Sequence, residues 1–179
     1  MADVSVRAAR AEDAAAIAAT QLRTWRAACA DILPEDALDQ IDESAMAQQW
    51  RDSTVKPPSP RHRVLVALDG AQVVGVAATA PAGDLDSESL LEGELVTLLV
   101  DATHGQAGHG SRLLAAAIEQ LRGDGFQRAQ TWVLQGDDRL VRFLTGAGWA
   151  PDGQSRELDM GRPVQQRRFH TDISDGEDA

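Results

Sequence analysis

One segment restricts the possible folds more than any other: residues 98–121, LLVDATHGQAGHGSRLLAAAIEQL. An apolar, strand-like run leads into a turn that contains Gly105, Gly108 and Gly110, and a run with helical spacing of apolar residues follows. Each glycine at a helix start lowers helix propensity, so three within six residues need a reason. They either form a turn that requires positive φ, or they let the first N–H groups of the helix approach a phosphate closely.

The spacing of the glycines excludes two common phosphate-binding motifs. A dinucleotide-binding fingerprint has the spacing G-x-G-x-x-G, whereas this turn has G-x-x-G-x-G. A P-loop requires a lysine and then Ser or Thr after its last glycine, and here Ser111 and Arg112 follow Gly110. The remaining possibility is a strand followed by a turn of small residues and a helix. In this geometry the amides of residues 107–111 can converge on a diphosphate. The alternative is a plain glycine-rich β–α turn.

The rest of the chain has the pattern of a mixed α/β (α+β) protein. Helical spacing begins at Glu12 and ends before Pro34, which starts a short second helix, and Ser44 is predicted to cap a third. Two β-branched runs joined at Asp69 and Gly70 predict a hairpin, and DDRLVRFLTGAG predicts a short helix with Asp137 or Asp138 as its N-cap. The predicted order is strand, two or three helices, a strand meander, helix, strand, helix and two strands. Consecutive hairpins precede the glycine turn, so a regular βαβ series is excluded.

Charge and cysteine content narrow the function further. Lys and Arg number 17 against 28 Asp and Glu, and the net charge of -11 disfavours nucleic acid and membrane surfaces as partners. Cys29 is the single cysteine, so neither an intrachain disulfide nor a zinc cluster is expected, and no metal is predicted. The N-terminal residues do not form a signal peptide, which predicts a cytoplasmic protein. We expect one domain over residues 1–173 and an acidic disordered tail over 174–179.

Three segments resemble the GNAT superfamily of N-acyltransferases. LLVDATHGQAGHGSRLL is similar to motif A, a strand L-x-V-x-P followed by R-G-x-G-I-G-x-x-L-L, with matches at Val100, Gly108, Gly110, Leu113 and Leu114. WRAACADILPEDALDQI resembles the W-x-x-A-Y-x-G-x-L-P segment of many bacterial members. TWVLQGDDRLVRFLTGAGWAPDG resembles their W-V-L-x-x-N-x-x-A-x-x-F-Y-x-x-x-G-F-x-x-D-G. Together the three segments extend the resemblance over roughly residues 3–172.

The resemblance implies a fold and an acyl donor. The GNAT fold has a central, mostly antiparallel, twisted sheet of six to seven strands, splayed between strands 4 and 5 and flanked by about four helices. Acetyl-CoA lies in the splay, and amides of motif A hold its pyrophosphate. Carried over to this chain, that cradle consists of Gly105, Gln106, Ala107, Gly108, His109, Gly110 and Ser111. The edge formed by Leu98, Leu99 and Val100 pairs with the pantetheine arm, and one of its N–H groups polarises the thioester carbonyl.

The resemblance also implies a catalytic base. An ordinary alkylamine with a pKa near 10.4 is only about 0.04% neutral at pH 7, so the attacking amine needs a proton acceptor. Glu94 stands on the fourth strand where many family members place a carboxylate that relays the proton through water. Its alternative role is that of a solvated glutamate at a strand end.

The resemblance implies that the acceptor site is formed by the first helices, the PAGDLDSESL loop and the last hairpin. The acidic residues Asp31, Asp84 and Asp86 either attract a cationic amine or simply form a solvated protein surface. The indoles of three tryptophans are core or pocket wall: Trp25, Trp50 and Trp149. The acceptor predicted by the resemblance is a small-molecule or peptide amine, and a homodimer is common among proteins of this type.

The chain departs from the family pattern at three positions. The arginine or glutamine at the head of the cradle aligns with Gly105, although Gln106 is adjacent. The asparagine on the CoA-facing turn aligns with Asp137, which still accepts a hydrogen bond. The tyrosine that protonates the leaving thiolate aligns with Leu144, and the chain contains no tyrosine. A different proton donor (Asp137, Asp138, Ser111, His104 or His109) or water would then be needed.

Three functional hypotheses follow. The first is an acetyl-CoA-dependent N-acetyltransferase in which the amine attacks the thioester directly. The second is a non-catalytic acyl-CoA-binding regulatory module, which Leu144 in place of the tyrosine permits. The third is an interaction protein whose glycines only form a turn.

Overall fold

A computed structural model describes residues 4–28, 30–32, 35–83, 89–159 and 162–174. Cys29, Asp84, Asp86 and the predicted tail beyond residue 174 therefore lie outside the described residues. The strands are β1 (Val4–Ala8), β2 (Arg63–Asp69), β3 (Gln72–Pro81), β4 (Glu92–Val100), β5 (Arg128–Leu134), β6 (Ala150–Asp159) and β7 (Pro163–Asp172). The α-helices are α1 (Ala14–Ala28), α2 (Glu35–Asp39), α3 (Glu43–Val55), α4 (His109–Gly123) and α5 (Asp138–Gly146). None of these helices is long and apolar enough to span a bilayer.

The seven strands form one sheet in the order β1-β2-β3-β4-β5-β7-β6. All neighbouring strands are antiparallel except β4 and β5, which are parallel. This arrangement confirms the predicted mixed α/β class and the mostly antiparallel sheet of six to seven strands. The five described helices compare with about four expected, and the five-residue α2 accounts for the difference.

Alternation along the strands divides the core between the two faces of the sheet. On one face, the apolar stripe of α4 packs on β2, β3 and β4, burying Leu113, Leu114, Ala117 and Leu121 among strand residues. On the other face, Ile17 of α1 packs against a smaller cluster of valines: Val66, Val73 and Val76. The helix that follows the glycine turn is therefore anchored by the larger apolar core, which fixes the position of its N-terminus.

The third helix begins differently from the prediction. Asp42, rather than Ser44, is its N-cap: its Oδ1 accepts hydrogen bonds from the amides of Ser44 and Ala45 at 2.8 and 3.2 Å. Both residue types are good caps, and the carboxylate adds a favourable interaction with the helix dipole. The prediction of Ser44 as cap was thus wrong by two residues.

Strands β4 and β5 diverge soon after they meet. Their described pairing is limited to residues 92–94 of β4 with residues 128–130 of β5. Directly beyond it, Oγ1 of Thr131 donates a hydrogen bond to the carbonyl oxygen of Leu95 at 2.7 Å. Farther along, β4 remains paired with β3, and β5 with β7. The sheet therefore opens into a fork between its fourth and fifth strands.

Candidate acyl-donor site

A cleft of about 650 Å³ occupies the fork between β4 and β5. This volume is typical of a small-molecule site. Its walls come from both faces of the sheet, since α1 contributes on one side and the glycine turn, α4 and α5 contribute on the other. Two ligands approaching from opposite faces can therefore meet between the strands.

The edge of β4 forms one wall of the cleft. Between its pairing with β5 and its end at Val100, β4 has a strand neighbour on one side, β3. The register of that pairing shifts around Val96, because Ala78 faces Thr97 while Thr79 faces Leu95. This bulge leaves Val96 55% exposed within the cleft. An open strand edge offers backbone donors and acceptors to an extended ligand.

The N-terminus of α4 forms the end wall. Gly108 is the N-cap and has φ 79°, a left-handed conformation that favours glycine, and no side chain among the described residues caps the helix. Arg112 is the first residue of the helix whose amide reaches a carbonyl, that of Gly108 at 3.1 Å. The amides of residues 109–111 therefore have no described hydrogen-bond acceptor, and they lie at the positive end of the helix dipole. By contrast, aspartate side chains cap α3 and α5.

The backbone just before this helix is strained at one residue. Gln106 has φ 69°, the single positive φ of a non-glycine residue in the described ranges. Such a conformation costs on the order of 1–3 kcal/mol and is concentrated at functional sites. The side chain is exposed at the mouth of the cleft. At Gly105, by contrast, φ is -62° and ψ is 153°, which any residue adopts.

His109 is a buried polar residue with unusual surroundings. It is 1% exposed, and neither ring nitrogen has a described hydrogen-bond partner. Its ring lies edge-on to His104, with 6.4 Å between centroids. Buried polar atoms without partners are rare in folded proteins, and this imidazole belongs to the first residue of α4, next to the glycine turn.

Asp101 holds the turn that connects β4 to this site. Its Oδ1 accepts hydrogen bonds from the amide and the hydroxyl of Thr103 at 3.0 and 2.8 Å, and its Oδ2 pairs with Arg23 of α1 at 2.9 Å. Burial by itself raises the pKa of Asp101, but the hydrogen bonds from Thr103 and Arg23 outweigh it and hold the pKa below its ordinary value. Asp101 is therefore charged at neutral pH and ties α1 to the end of β4.

Helix α5 covers the cleft from the side of β5. Oδ1 of Asp137 accepts a hydrogen bond from the amide of Leu140 at 3.1 Å, which confirms the predicted cap at Asp137 or Asp138. Phe143 packs near Gly110, and an added Cβ on that glycine would lie 3.5 Å from the ring. Leu144 is fully buried, yet it lines the inner end of the cleft. This position of the cleft wall is therefore occupied by a hydrocarbon side chain.

The structure brings most of the predicted site residues to this cleft. Ten of them line it: Leu98, Leu99, Val100, Gly105, Gln106, Gly108, His109, Gly110, Ser111 and Asp137. Ala107 is exposed outside the lining, and its carbonyl accepts a hydrogen bond from Nη1 of Arg112 at 3.0 Å. Glu94 also lies outside the lining, on the paired part of β4, where Nε2 of Gln130 is 3.5 Å from its Oε2.

Several lining residues had no signal of their own in the sequence. Val96, Trp132 and Arg139 reach the cleft through a bulge, a diverging strand and a helix that are distant in sequence. The three tryptophans predicted to be core or pocket wall divide between these roles. Trp149 is buried in the larger core, Trp50 donates a hydrogen bond to Gln21 at 2.7 Å, and Trp25 is half-buried in the cleft wall.

Comparisons with known proteins agree with this architecture. A family model described as the acetyltransferase (GNAT) family matches residues 20–149. The uncharacterized N-acetyltransferase YuaI of Bacillus subtilis (strain 168) is 27% identical over 141 residues, which are 78% of this chain and 77% of that protein.

Two solved structures give close superpositions. The yncA protein of Salmonella typhimurium, solved with its cofactor acetyl-CoA, has a TM-score of 0.69 at 16% identity, covering 97% of this chain and 96% of that chain. The paia N-acetyltransferase of Thermoplasma acidophilum, solved in complex with coenzyme A, has a TM-score of 0.70 at 14% identity, covering 95% of this chain and 99% of that chain. At these identities the structural matches show the fold alone. The family match, however, spans well over half of the sequence, and this chain belongs to the GNAT family of acetyltransferases.

Proposed function

We propose that this chain is an acyl-CoA-dependent N-acetyltransferase that transfers acetyl from acetyl-CoA to a primary amine of a small molecule or peptide. The observation that carries the proposal is the N-terminus of α4, which has no side-chain cap and opens into the cleft at the fork. Anions bind at such helix ends because free N–H groups and the dipole favour negative charge. A diphosphate fits this position, and an apolar cleft of the observed size fits the arm attached to it.

Each wall of the cleft has a role in this proposal. The amides of residues 109–111 bind the diphosphate, and the open edge of β4 offers hydrogen bonds to the amide groups of the pantetheine arm. The bound donor supplies an activated acyl thioester. In this proposal an N–H group of the open β4 edge, next to the bulge at Val96, stabilises negative charge on the thioester carbonyl oxygen. The amine enters from the face of α1, past Trp25.

Proton movements complete the reaction. Glu94 lies on the face of the sheet opposite Leu95, beside Gln130, and accepts the proton of the attacking amine through water. No side chain replaces the missing tyrosine in this proposal. A thiol with a pKa near 8.5 is a tolerable leaving group, so water protonates the departing thiolate.

A second candidate function is a non-catalytic acyl-CoA-binding regulatory module. Leu144 favours it, because a fully buried leucine at the inner end of the cleft cannot donate a proton. Such a module retains the uncapped helix end and the open strand edge but does not transfer the acyl group.

Two measurements on the purified protein test the proposal. Donor binding is measured as a rise in melting temperature with acetyl-CoA, since a ligand at about 100 times its Kd adds about 2.7 kcal/mol to the free energy of unfolding. Turnover is measured as release of free CoA thiol with a panel of alkyl, aromatic and peptide amines. We expect both, and binding without thiol release by any amine would favour the regulatory module instead.

A matched pair of glycine variants ties both readouts to the site. Gly108→Val forces a β-branched residue to φ 79° at the cap of α4, and we expect it to abolish donor binding. Gly123→Ala changes the last residue of the same helix, where an added Cβ meets nothing within 4 Å, and donor binding should be unchanged. If Gly108→Val binds acetyl-CoA as the parent protein does, the glycines form only a turn and the proposal fails.

A further inference from the structure

A guanidinium group from α5 lies against the head of the glycine turn. Arg139 is in the first turn of α5, and a Cβ atom added to Gly105 would lie 3.0 Å from its Nη2. Gly105 has no need of glycine for its own backbone conformation, because φ is -62° and ψ is 153°. What the missing side chain provides is space, and Arg139 occupies that space.

Arg139 differs from the other residues that line the cleft. Within the part of the chain that the structure describes, it is the single Arg or Lys in the lining. It forms no ion pair with a described carboxylate, whereas Arg7, Arg23, Arg63, Arg128 and Arg168 each do. In a chain with a net charge of -11, a guanidinium with no partner among the described carboxylates is a localised positive site at the mouth of the cleft.

Helix stability does not explain this arginine. Cations are disfavoured in the first turn of a helix, since the dipole places positive charge there. Arg139 therefore opposes the dipole of α5, while Asp137 and Asp138 beside it complement that dipole. In the same position, however, the positive charge of the guanidinium reinforces the positive end of the α4 dipole. The guanidinium and the N-terminus of α4 both line the cleft.

We propose that Arg139 binds the diphosphate of the acyl donor from the space that Gly105 leaves open, at the head of the glycine turn. This inference rests on the proposed function and identifies a binding residue that helix α5, rather than the glycine turn, contributes. Arginine suits the role because its planar fork of N–H groups matches two phosphate oxygens at once.

Isothermal titration with CoA tests the role of Arg139. We expect Arg139→Ala to weaken CoA binding by about 10- to 100-fold, the effect of losing a charge-assisted hydrogen bond. The matched control is Arg142→Ala, since Arg142 is exposed on the same helix but lies outside the cleft lining, and its Kd should change by less than about twofold. The affinity of Arg139→Ala should also fall less steeply with added salt than that of the parent protein.

Two further titrations locate the contact. Dephospho-CoA keeps the diphosphate but lacks the ribose phosphate, so the loss in Arg139→Ala should persist with it. Adding Gly105→Arg to the Arg139→Ala variant returns a guanidinium to the same space and should restore part of the affinity.

Distinct outcomes separate this inference from the proposed function. Absence of CoA binding to the parent protein contradicts the proposed function itself. If the parent protein binds CoA, the assignment of Arg139 is overturned by any of three results: a loss no larger than that of Arg142→Ala, a loss that disappears with dephospho-CoA, or no gain from Gly105→Arg.

Discussion

Thr131 of β5 donates a hydrogen bond to the carbonyl oxygen of Leu95 in β4 at 2.7 Å, directly beyond the last paired residues of the two strands. Thr131 is 7% exposed and Leu95 is 1% exposed, so the carbonyl has little access to water. The bond closes the inner end of the fork and sets where the cleft begins.

Replacing this threonine tests whether the bond fixes the fork. Thr131→Val keeps the branched shape but leaves the carbonyl of Leu95 unpaired, which should lower the free energy of unfolding by about 1–3 kcal/mol. We also expect KM for the donor to rise, because the two strands lose their last link before the cleft. Denaturant unfolding and steady-state kinetics provide the measurements. Thr131→Ser, which retains a hydroxyl, is the control, and equal stability of the two variants would argue against this account.

The ion pair between Asp101 and Arg23 should make stability depend on pH. The pKa of Asp101 is lowered in the folded state, so its stabilising contribution is present above the unfolded-state pKa near 3.9 and is lost as pH falls through the folded value. Asp13 contributes to the same slope, since hydrogen bonds from Arg7 lower its pKa. The free energy of unfolding should therefore decrease as pH drops below about 4.

Asp101→Asn isolates one part of that dependence. We expect it to lose about 1.5–3 kcal/mol at pH 7, because Arg23 loses its charged partner, and to have a shallower stability profile in acid. Chemical denaturation across a pH series measures both effects. Glu119→Gln, on the exposed side of α4, is the control, and its stability at each pH should equal that of the parent protein. If the stability profile of Asp101→Asn runs parallel to that of the parent, Asp101 does not contribute to the pH dependence.

Glu94 can be tested as the base without disturbing the fold. Glu94→Gln retains the shape of the side chain beside Gln130, and we expect kcat to fall by about 10²- to 10⁴-fold while KM for the donor stays unchanged. The control is Glu92→Gln, two residues earlier on β4, where the carboxylate pairs with Arg128 at 3.4 Å. A kcat of Glu94→Gln equal to that of Glu92→Gln would remove Glu94 from the mechanism.

Leu144 offers a gain-of-function experiment. Leu144→Tyr places a phenol at the inner end of the cleft, and we expect kcat to rise by up to about 10²-fold if thiolate protonation limits the rate. Overpacking of this fully buried position should cost about 1–3 kcal/mol. Leu144→Phe carries the same bulk without the hydroxyl, so it should lose similar stability with no gain in rate. Equal kcat values for the two variants would mean that proton donation does not limit turnover.

Local patterns were sufficient to predict most elements of the fold. The apolar spacing of α4, the turn at Gly70 and the cap at Asp137 all depend on residues near one another in sequence. Ser44 was a wrong prediction for a related reason. Asp42 is an equally good cap two residues earlier, and local propensity does not choose between two suitable residues.

The parts of the site that were missed depend on contacts between distant residues. The sequence does not specify that β4 slips at Val96, that β5 turns Trp132 into the fork, or that Arg139 reaches Gly105. Each of these features is set by strand register or helix docking across tens of residues. The resemblance named a continuous segment, and most of its residues line the cleft, whereas the opposite wall is assembled by tertiary packing.

Amide hydrogen exchange with and without acetyl-CoA tests the central claim most directly, because it locates the donor on the chain. The account predicts protection in peptides that cover residues 96–100 of β4 and residues 106–112 at the start of α4, with peptides from α3 unchanged as an internal reference. Protection confined to other segments, or none at saturating acetyl-CoA, would contradict the assignment of the fork as the acyl-donor site.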